Sequence, residues 1–139
     1  MALSLYRQAI AKNNTSAMNN LALSYKYGGI VKQNINITIR LLKKAVLCNN
    51  ATAMYNLAVH YESGNGVEQD ISKALELYSL AVLQNNTDAM NKLGNYFICD
   101  EEHRDLQKAR ELLELSKKLG DSLADNHLIF LKEMEQLAL

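Results

Sequence analysis

Apolar positions in residues 49–84, NNATAMYNLAVHYESGNGVEQDISKALELYSLAVLQ, fall into two separate stripes. Ala53, Leu57, Ala58 and Tyr61 stand at i, i+4, i+5 and i+8. Ala74, Leu77, Tyr78, Ala81 and Val82 stand at i, i+3, i+4, i+7 and i+8. Both spacings follow the 3.6-residue turn of an α-helix and give each helix one apolar face. Between them ESGNGVEQD (62–70) is polar and carries Gly64 and Gly66, the composition of a turn. The pattern predicts a helix A, a tight connection and a helix B.

The same arrangement returns along the chain. Residues 13–48 and 85–119 align with 49–84, residues 120–139 begin a fourth copy, and residues 1–12 match the end of one, so the beat is 36, 36 and 35 residues. A period in this range is the mark of a repeat architecture. It predicts helices at about 2–12, 16–27, 35–48, 52–63, 71–84, 88–99, 105–119 and 122–137. Small Ala17, Ala53, Ala89 and Ala124 let neighbouring helices approach, and Leu21, Leu57, Leu93 and Leu128 fill the space between them. The expected fold is all-α, an α-solenoid of stacked antiparallel helix pairs, because one pair alone cannot bury its apolar faces. All 139 residues are expected to form a single repeat domain, with a half repeat at 1–12 and a terminal half repeat at 120–139.

Each copy opens on an asparagine pair: Asn13-Asn14, Asn49-Asn50 and Asn85-Asn86, with Gly120-Asp121 in the fourth. Asn exchanging with Gly points to a position that needs a left-handed backbone, where helix B ends. Ser16, Thr52 and Asp88 are the expected caps of the A helices. Asn34, Asp70 and Asp105 are the expected caps of the B helices, and Val67 is expected to plug the core. Copy three, ICDEEHRD (98–105), lacks both glycines and one residue, so its turn must be reshaped.

These residues resemble the Sel1-like repeat family, relatives of the tetratricopeptide repeats. Copy two carries the motif as Ala53, Leu57, Tyr61, Gly64, Gly66, Val67, Asp70, Lys73, Ala74, Tyr78 and Ala81, with Ala58 in place of a glycine. Copy one keeps Ala17, Leu21, Tyr25, Gly28, Val31 and Ala45; copy three keeps Ala89, Leu93, Gly94, Asp105, Lys108 and Ala109. The resemblance implies a right-handed superhelix that serves as an adaptor or scaffold for protein complexes. One cysteine-rich subgroup of that family has a disulfide in every repeat, but Cys48 and Cys99 are not repeat-equivalent. Cys48 ends a B helix and Cys99 an A helix, edges about 20 Å apart for helices of this length. A disulfide needs Cα atoms within about 7 Å, so two free thiols are expected.

Candidate chemistry changes this picture little. His60, His103 and His127 lack partners at metal-ligand spacing, no nucleophile elbow occurs, and Gly64-Asn65-Gly66 lacks the strand that precedes a phosphate loop. The expectation is a protein without catalytic activity, cofactor or metal. No secretory signal or membrane-spanning run is evident, which points to the cytoplasm, or a host cytoplasm; the five Asn-x-Ser/Thr sequons then carry no glycans. Helix A lines the concave face in such solenoids, so Asn20, Asn56, Lys92 and His127, with Ser24, His60 and Tyr96, are the candidate contacts for a partner peptide or protein.

Charge is the least ordinary feature. The net formal charge is zero, yet residues 1–61 hold seven Lys or Arg and no acid, while residues 62–139 hold eight basic and all fifteen acidic residues. Such a separation suits steering of an acidic partner, or head-to-tail association of two copies. The alternative function is nucleic-acid or acidic-surface binding through Arg7, Lys12, Lys26, Lys32, Arg40, Lys43 and Lys44. Zero net charge and few aromatic stacking platforms weigh against nucleic acid.

Overall fold

The computed structural model describes residues 2–28 and 33–138. Val31 and Lys32 lie outside the described residues. Among those described there are eight helices and no strand: α1 (Ala2–Ala11), α2 (Thr15–Tyr27), α3 (Ile35–Leu47), α4 (Ala51–Ser63), α5 (Ile71–Val82), α6 (Thr87–Cys99), α7 (Leu106–Lys118) and α8 (Leu123–Leu137). Every predicted helix is present, with ends shifted by two residues at most. The chain divides into two compact units, Met1–Ala81 and Val82–Leu139.

In the first unit each helix packs on the next, α1 on α2, α2 on α3 and α3 on α4. Its core gathers Met18, Leu21 and Ala22 of α2, Ile39, Leu42 and Ala45 of α3, and Ala53 and Leu57 of α4. In the second unit α7 packs against α6 and α8, and Ile98, Ala109, Leu113 and Leu131 are fully enclosed. Each buried leucine or isoleucine contributes about 1.5–3 kcal/mol relative to exposure. The alanine rule holds in all four copies: Ala17, Ala53, Ala89 and Ala124 are buried. At the neighbouring small position Gly94 lets α7 come closer still. A Cβ there would lie 2.8 Å from the Leu113 Cγ.

The turns between copies follow the exchange of Asn with Gly. Asn13, Asn49 and Asn85 have φ of 59°, 62° and 60°, and Gly120 has φ of 95°. Their backbone N–H groups donate to Ile10, Val46, Val82 and Lys117 carbonyls at 2.8–2.9 Å, closing the helix that precedes. Left-handed backbone at these four positions is what turns helix B into helix A.

The caps of the A helices correct the expectation. Ser16, Thr52 and Asp88 do not cap. Instead the second asparagine of each pair does: the Oδ1 atoms of Asn14, Asn50 and Asn86 accept the N–H groups of Ala17, Ala53 and Ala89 at 3.1, 2.9 and 2.9 Å. The physical reason is phase. The first asparagine spends its left-handed conformation on ending helix B, so the second is already extended, with φ between −74° and −86°, and its side chain reaches the third helical N–H. Ser16, Thr52 and Asp88 stand two residues further, inside the first turn. The B-helix caps are as expected: Asn34 accepts from Ile37 at 3.3 Å, Asp70 from Lys73 at 3.1 Å and Asp105 from Lys108 at 2.9 Å.

The A-to-B connections use two solutions. Gly28 and Gly64 close α2 and α4 with φ of 70° and 71°. Gly66 is required twice over, by a φ of 77° and because a Cβ would sit 2.5 Å from the Ile35 Cγ1 of the preceding copy. In copy three Asp100 takes the glycine position in extended backbone. Its Oδ1 accepts the N–H groups of Glu102 and His103 at 3.0 and 2.8 Å, so a side chain performs what a left-handed residue does elsewhere.

Candidate functional site

The polar groups of this chain separate into those that hold the repeats together and those left on the surface. The capping asparagines belong to the first set. Asn50 Oδ1 accepts the Asn19 Nδ2 at 2.7 Å as well as the Ala53 N–H, and Asn50 Nδ2 donates to the Thr15 Oγ1 at 3.0 Å. Asn19 is 6% exposed, so this is a partly enclosed bridge from copy one to the cap of copy two. The second unit repeats it with a charged acceptor: Asn91 Nδ2 and Ser116 Oγ donate to the Asp121 Oδ2 at 2.6 and 3.3 Å, and the Leu123 N–H to its Oδ1 at 3.0 Å. The Leu123 N–H, then the Asn91, Ser116 and Thr87 side chains, hold the Asp121 carboxyl below its ordinary range against the opposing effect of burial.

His60 was expected on the open face and is only 2% exposed. Its Nδ1 lies 2.9 Å from the Asn65 carbonyl, and since a carbonyl only accepts, Nδ1 carries the proton. Its own carbonyl accepts the N–H groups of Gly64 and Asn65 at 2.8 and 3.1 Å. Burial lowers its pKa, with a smaller push from Lys26 and an opposing pull from Asn65, so the ring is neutral at pH 7. His60 is a fastener of the 64–66 turn, withdrawn from any binding face. A histidine between a small-residue stripe and a glycine turn reads the same in sequence whether it points inward or outward.

The remaining candidates keep some exposure. In the first unit Asn20 is exposed and its carbonyl accepts the Ser24 hydroxyl at 3.0 Å; Ser24 and Asn56 are half-buried. In the second unit Lys92, Tyr96 and His127 are half-buried. The Tyr96 hydroxyl lies 3.2 Å from the His103 Nδ1, which lies 3.0 Å from the Asp100 Oδ1, and the two rings stack with centroids 6.2 Å apart. The reshaped turn of copy three therefore presents a tyrosine, a histidine and an aspartate together, an association that linear spacing does not reveal. His103 keeps the Asp100 carboxyl low, chiefly through its backbone N–H and then its side chain.

Tyr78, a motif position, is a packing residue. It is 3% exposed, its hydroxyl donates to Glu62 at 2.5 Å and its ring meets that of Tyr55 with centroids 5.8 Å apart. Burial, then the Glu62 carboxylate, pushes its pKa far up. Cys48 and Cys99 are free and exposed. Among the described residues no group of three His, Cys, Asp or Glu side chains is placed to hold a metal ion, and no helix is long and apolar enough to cross a membrane.

The cations of the two units are treated differently. In the second unit Lys117 pairs with Asp125 at 2.8 Å, and Arg110 pairs with Glu114 at 3.5 Å and with Glu135. In the first unit Arg40, Lys43 and Lys44 project from α3 into solvent, and no described carboxylate pairs with them. A cavity of about 370 Å³ opens beside Lys43, with Lys73, Tyr61, Glu68 and Asp70 also in its wall.

Comparison with known proteins agrees with this architecture. The Sel1 repeat family matches residues 15–50, 51–86 and 87–121. Among solved structures, a protective antigen present in uropathogenic Escherichia coli strains, displaying an SLR fold, superposes with a TM-score of 0.82 at 29% identity, over 91% of this chain and 27% of that one. A Sel1 repeat protein from Oxalobacter formigenes superposes with a TM-score of 0.82 at 30% identity, over 88% of this chain and 50% of that one. The chain thus spans about a quarter and a half of the length of these two. No curated protein matches it significantly. With three consecutive matches over most of its length and an all-helical α-solenoid fold shared with these structures, the chain belongs to the Sel1 repeat family.

Proposed function

We propose that this chain is a non-catalytic protein-interaction scaffold whose A helices present the contact residues to a peptide or protein partner. Sel1 repeat proteins are generally protein–protein interaction scaffolds. The observation that carries the proposal is the fate of the polar side chains. Several of them are engaged in the architecture: His60 in a turn, Asp121 and Asn50 in bridges between copies, Asp70 and Asp105 in caps. What remains outward on the A helices is a repeat-equivalent series of hydrogen-bonding groups, Asn20, Ser24 and Asn56 in the first unit and Lys92, Tyr96 and His127 in the second. An asparagine amide offers both a donor and an acceptor, which suits the backbone of an extended peptide. His60 drops out of the set because its ring is enclosed.

Quantitative capture from native lysate tests this. Wild type is compared with Asn20→Ala/Asn56→Ala and with Tyr96→Ala/His127→Ala, each shown by circular dichroism to retain its helices. Partners that bind the A helices are recovered at reduced levels on at least one variant. Equal recovery of every captured protein on all three removes the proposal.

A further inference from the structure

We propose that the first unit carries a second docking site, at the connection between α4 and α5 and the neighbouring face of α3, for an acidic peptide segment, with a carboxylate side chain of the peptide entering the cavity between Lys43 and Lys73. Three observations carry it. The first is a row of cations that no described carboxylate pairs with. Arg40, Lys43 and Lys44 stand at i, i+3 and i+4 on α3, all exposed, where like charges repel across one helix face. In the second unit Arg110 and Lys117 are paired with Glu114, Glu135 and Asp125, whereas no described carboxylate pairs with Arg40, Lys43 or Lys44.

The second is convergence. The cavity takes Lys43 from copy one and Lys73 from copy two, so lysines of two different repeats line one space of about 370 Å³, the low end of the range for ligand pockets. Lys73 is partly ordered before any ligand arrives. Its backbone N–H is held by the Asp70 cap at 3.1 Å and its Nζ lies 5.4 Å from the centre of the Tyr61 ring. Two positive charges at one depression lower the potential for a single carboxylate, and ordering Lys73 in advance reduces the entropy lost on binding.

The third is the sign of the remaining wall. Glu68 and Asp70 also line the cavity. The charges of Glu68 and Asp70 balance those of Lys43 and Lys73, and a phosphodiester backbone, which brings only acceptors, offers the two carboxylates no donor. A peptide brings a carboxylate for the lysines and N–H donors for Glu68 and Asp70, with flanking acids free to reach Arg40 and Lys44. The mixed lining selects an acidic peptide over nucleic acid. None of the A-helix candidate residues lines this cavity, so its failure leaves the A-helix proposal standing, and the reverse.

Fluorescence polarisation on the intact chain provides the test, with a fluorescein-labelled ten-residue peptide of alternating Glu and Ser, its Gln/Ser counterpart, and a labelled single-stranded oligothymidylate of equal charge. The acidic peptide binds, with affinity falling as salt rises, and the Gln/Ser peptide does not. Lys43→Gln/Lys73→Gln weakens binding at least tenfold, Arg40→Gln/Lys44→Gln weakens it by a smaller factor, and Lys117→Gln in the second unit changes it less than twofold. Circular dichroism confirms that each variant is folded. Absence of peptide binding, equal binding by Lys43→Gln/Lys73→Gln, or tighter binding of the oligonucleotide than of the acidic peptide overturns the proposal.

Discussion

Asn14 and Asn50 occupy the same place in consecutive copies and make the same cap, yet replacing them with alanine has different consequences. Asn14 is exposed and, among the described residues, its Oδ1 accepts only the Ala17 N–H, at 3.1 Å. Losing that cap costs about 1 kcal/mol. Asn50 makes the cap at 2.9 Å and also receives the Asn19 amide at 2.7 Å and reaches the Thr15 hydroxyl at 3.0 Å. Asn19 is buried, and its Oδ1 already has no hydrogen-bond partner, so Asn50→Ala leaves the whole amide unsatisfied. A buried polar group stranded in this way adds about 1–3 kcal/mol to the cap loss. The total is about 2–4 kcal/mol, a large part of the roughly 5–15 kcal/mol that holds a domain folded. Urea unfolding followed at 222 nm checks it. With a slope of about 1.5 kcal/mol/M, Asn14→Ala moves the midpoint by about 0.7 M and Asn50→Ala by about 1.3–2.7 M. Because Asn19 and Asn50 share one bond, Asn19→Ala and Asn50→Ala combined cost less than their sum. Equal midpoints for Asn14→Ala and Asn50→Ala, or strict additivity of the pair, would refute the claim that the cap also binds the neighbouring copy.

Three further outcomes follow from the same geometry. Gly94→Ala gains about 1 kcal/mol of helix propensity but drives a Cβ to 2.8 Å from Leu113, an overpacking cost of about 1–3 kcal/mol; thermal unfolding shows a net loss in the wild type, whereas in a Leu113→Ala background, itself less stable by about 2–5 kcal/mol, the same change is no longer destabilising. Asn85→Ala places an alanine at a φ of 60° and costs about 1–2 kcal/mol, whereas Asn85→Gly restores most of the wild-type melting temperature. Asp121 has a folded pKa below its ordinary value of 3.8, so its stabilisation is full above that value and disappears as pH falls through the lower folded one. Acid titration of Asp121→Asn, followed by circular dichroism, therefore shows a smaller loss of stability below pH 4 than wild type shows.

The period of the chain and the alternation of its stripes determined the helices, their order and most of the turns. Asn13, Asn49, Asn85 and Gly120 were legible because backbone conformation is a local property: only a few residue types tolerate positive φ, and they exchange with one another. The B-helix caps were legible for the same reason. The A-helix caps were misplaced by two residues because the cap depends on where the preceding helix actually stops. Side-chain direction was beyond the sequence altogether. His60 and Asn20 look alike as polar residues on helix A, yet one closes a turn and the other meets solvent. The bridges from Asn19 to Asn50 and from Asn91 to Asp121, the joining of Lys43 and Lys73 at one cavity, and the grouping of Tyr96 with His103 bring together residues 7 to 31 positions apart. Local chemistry sets the helices and their turns; which polar groups meet is decided only when one helix is laid against the next.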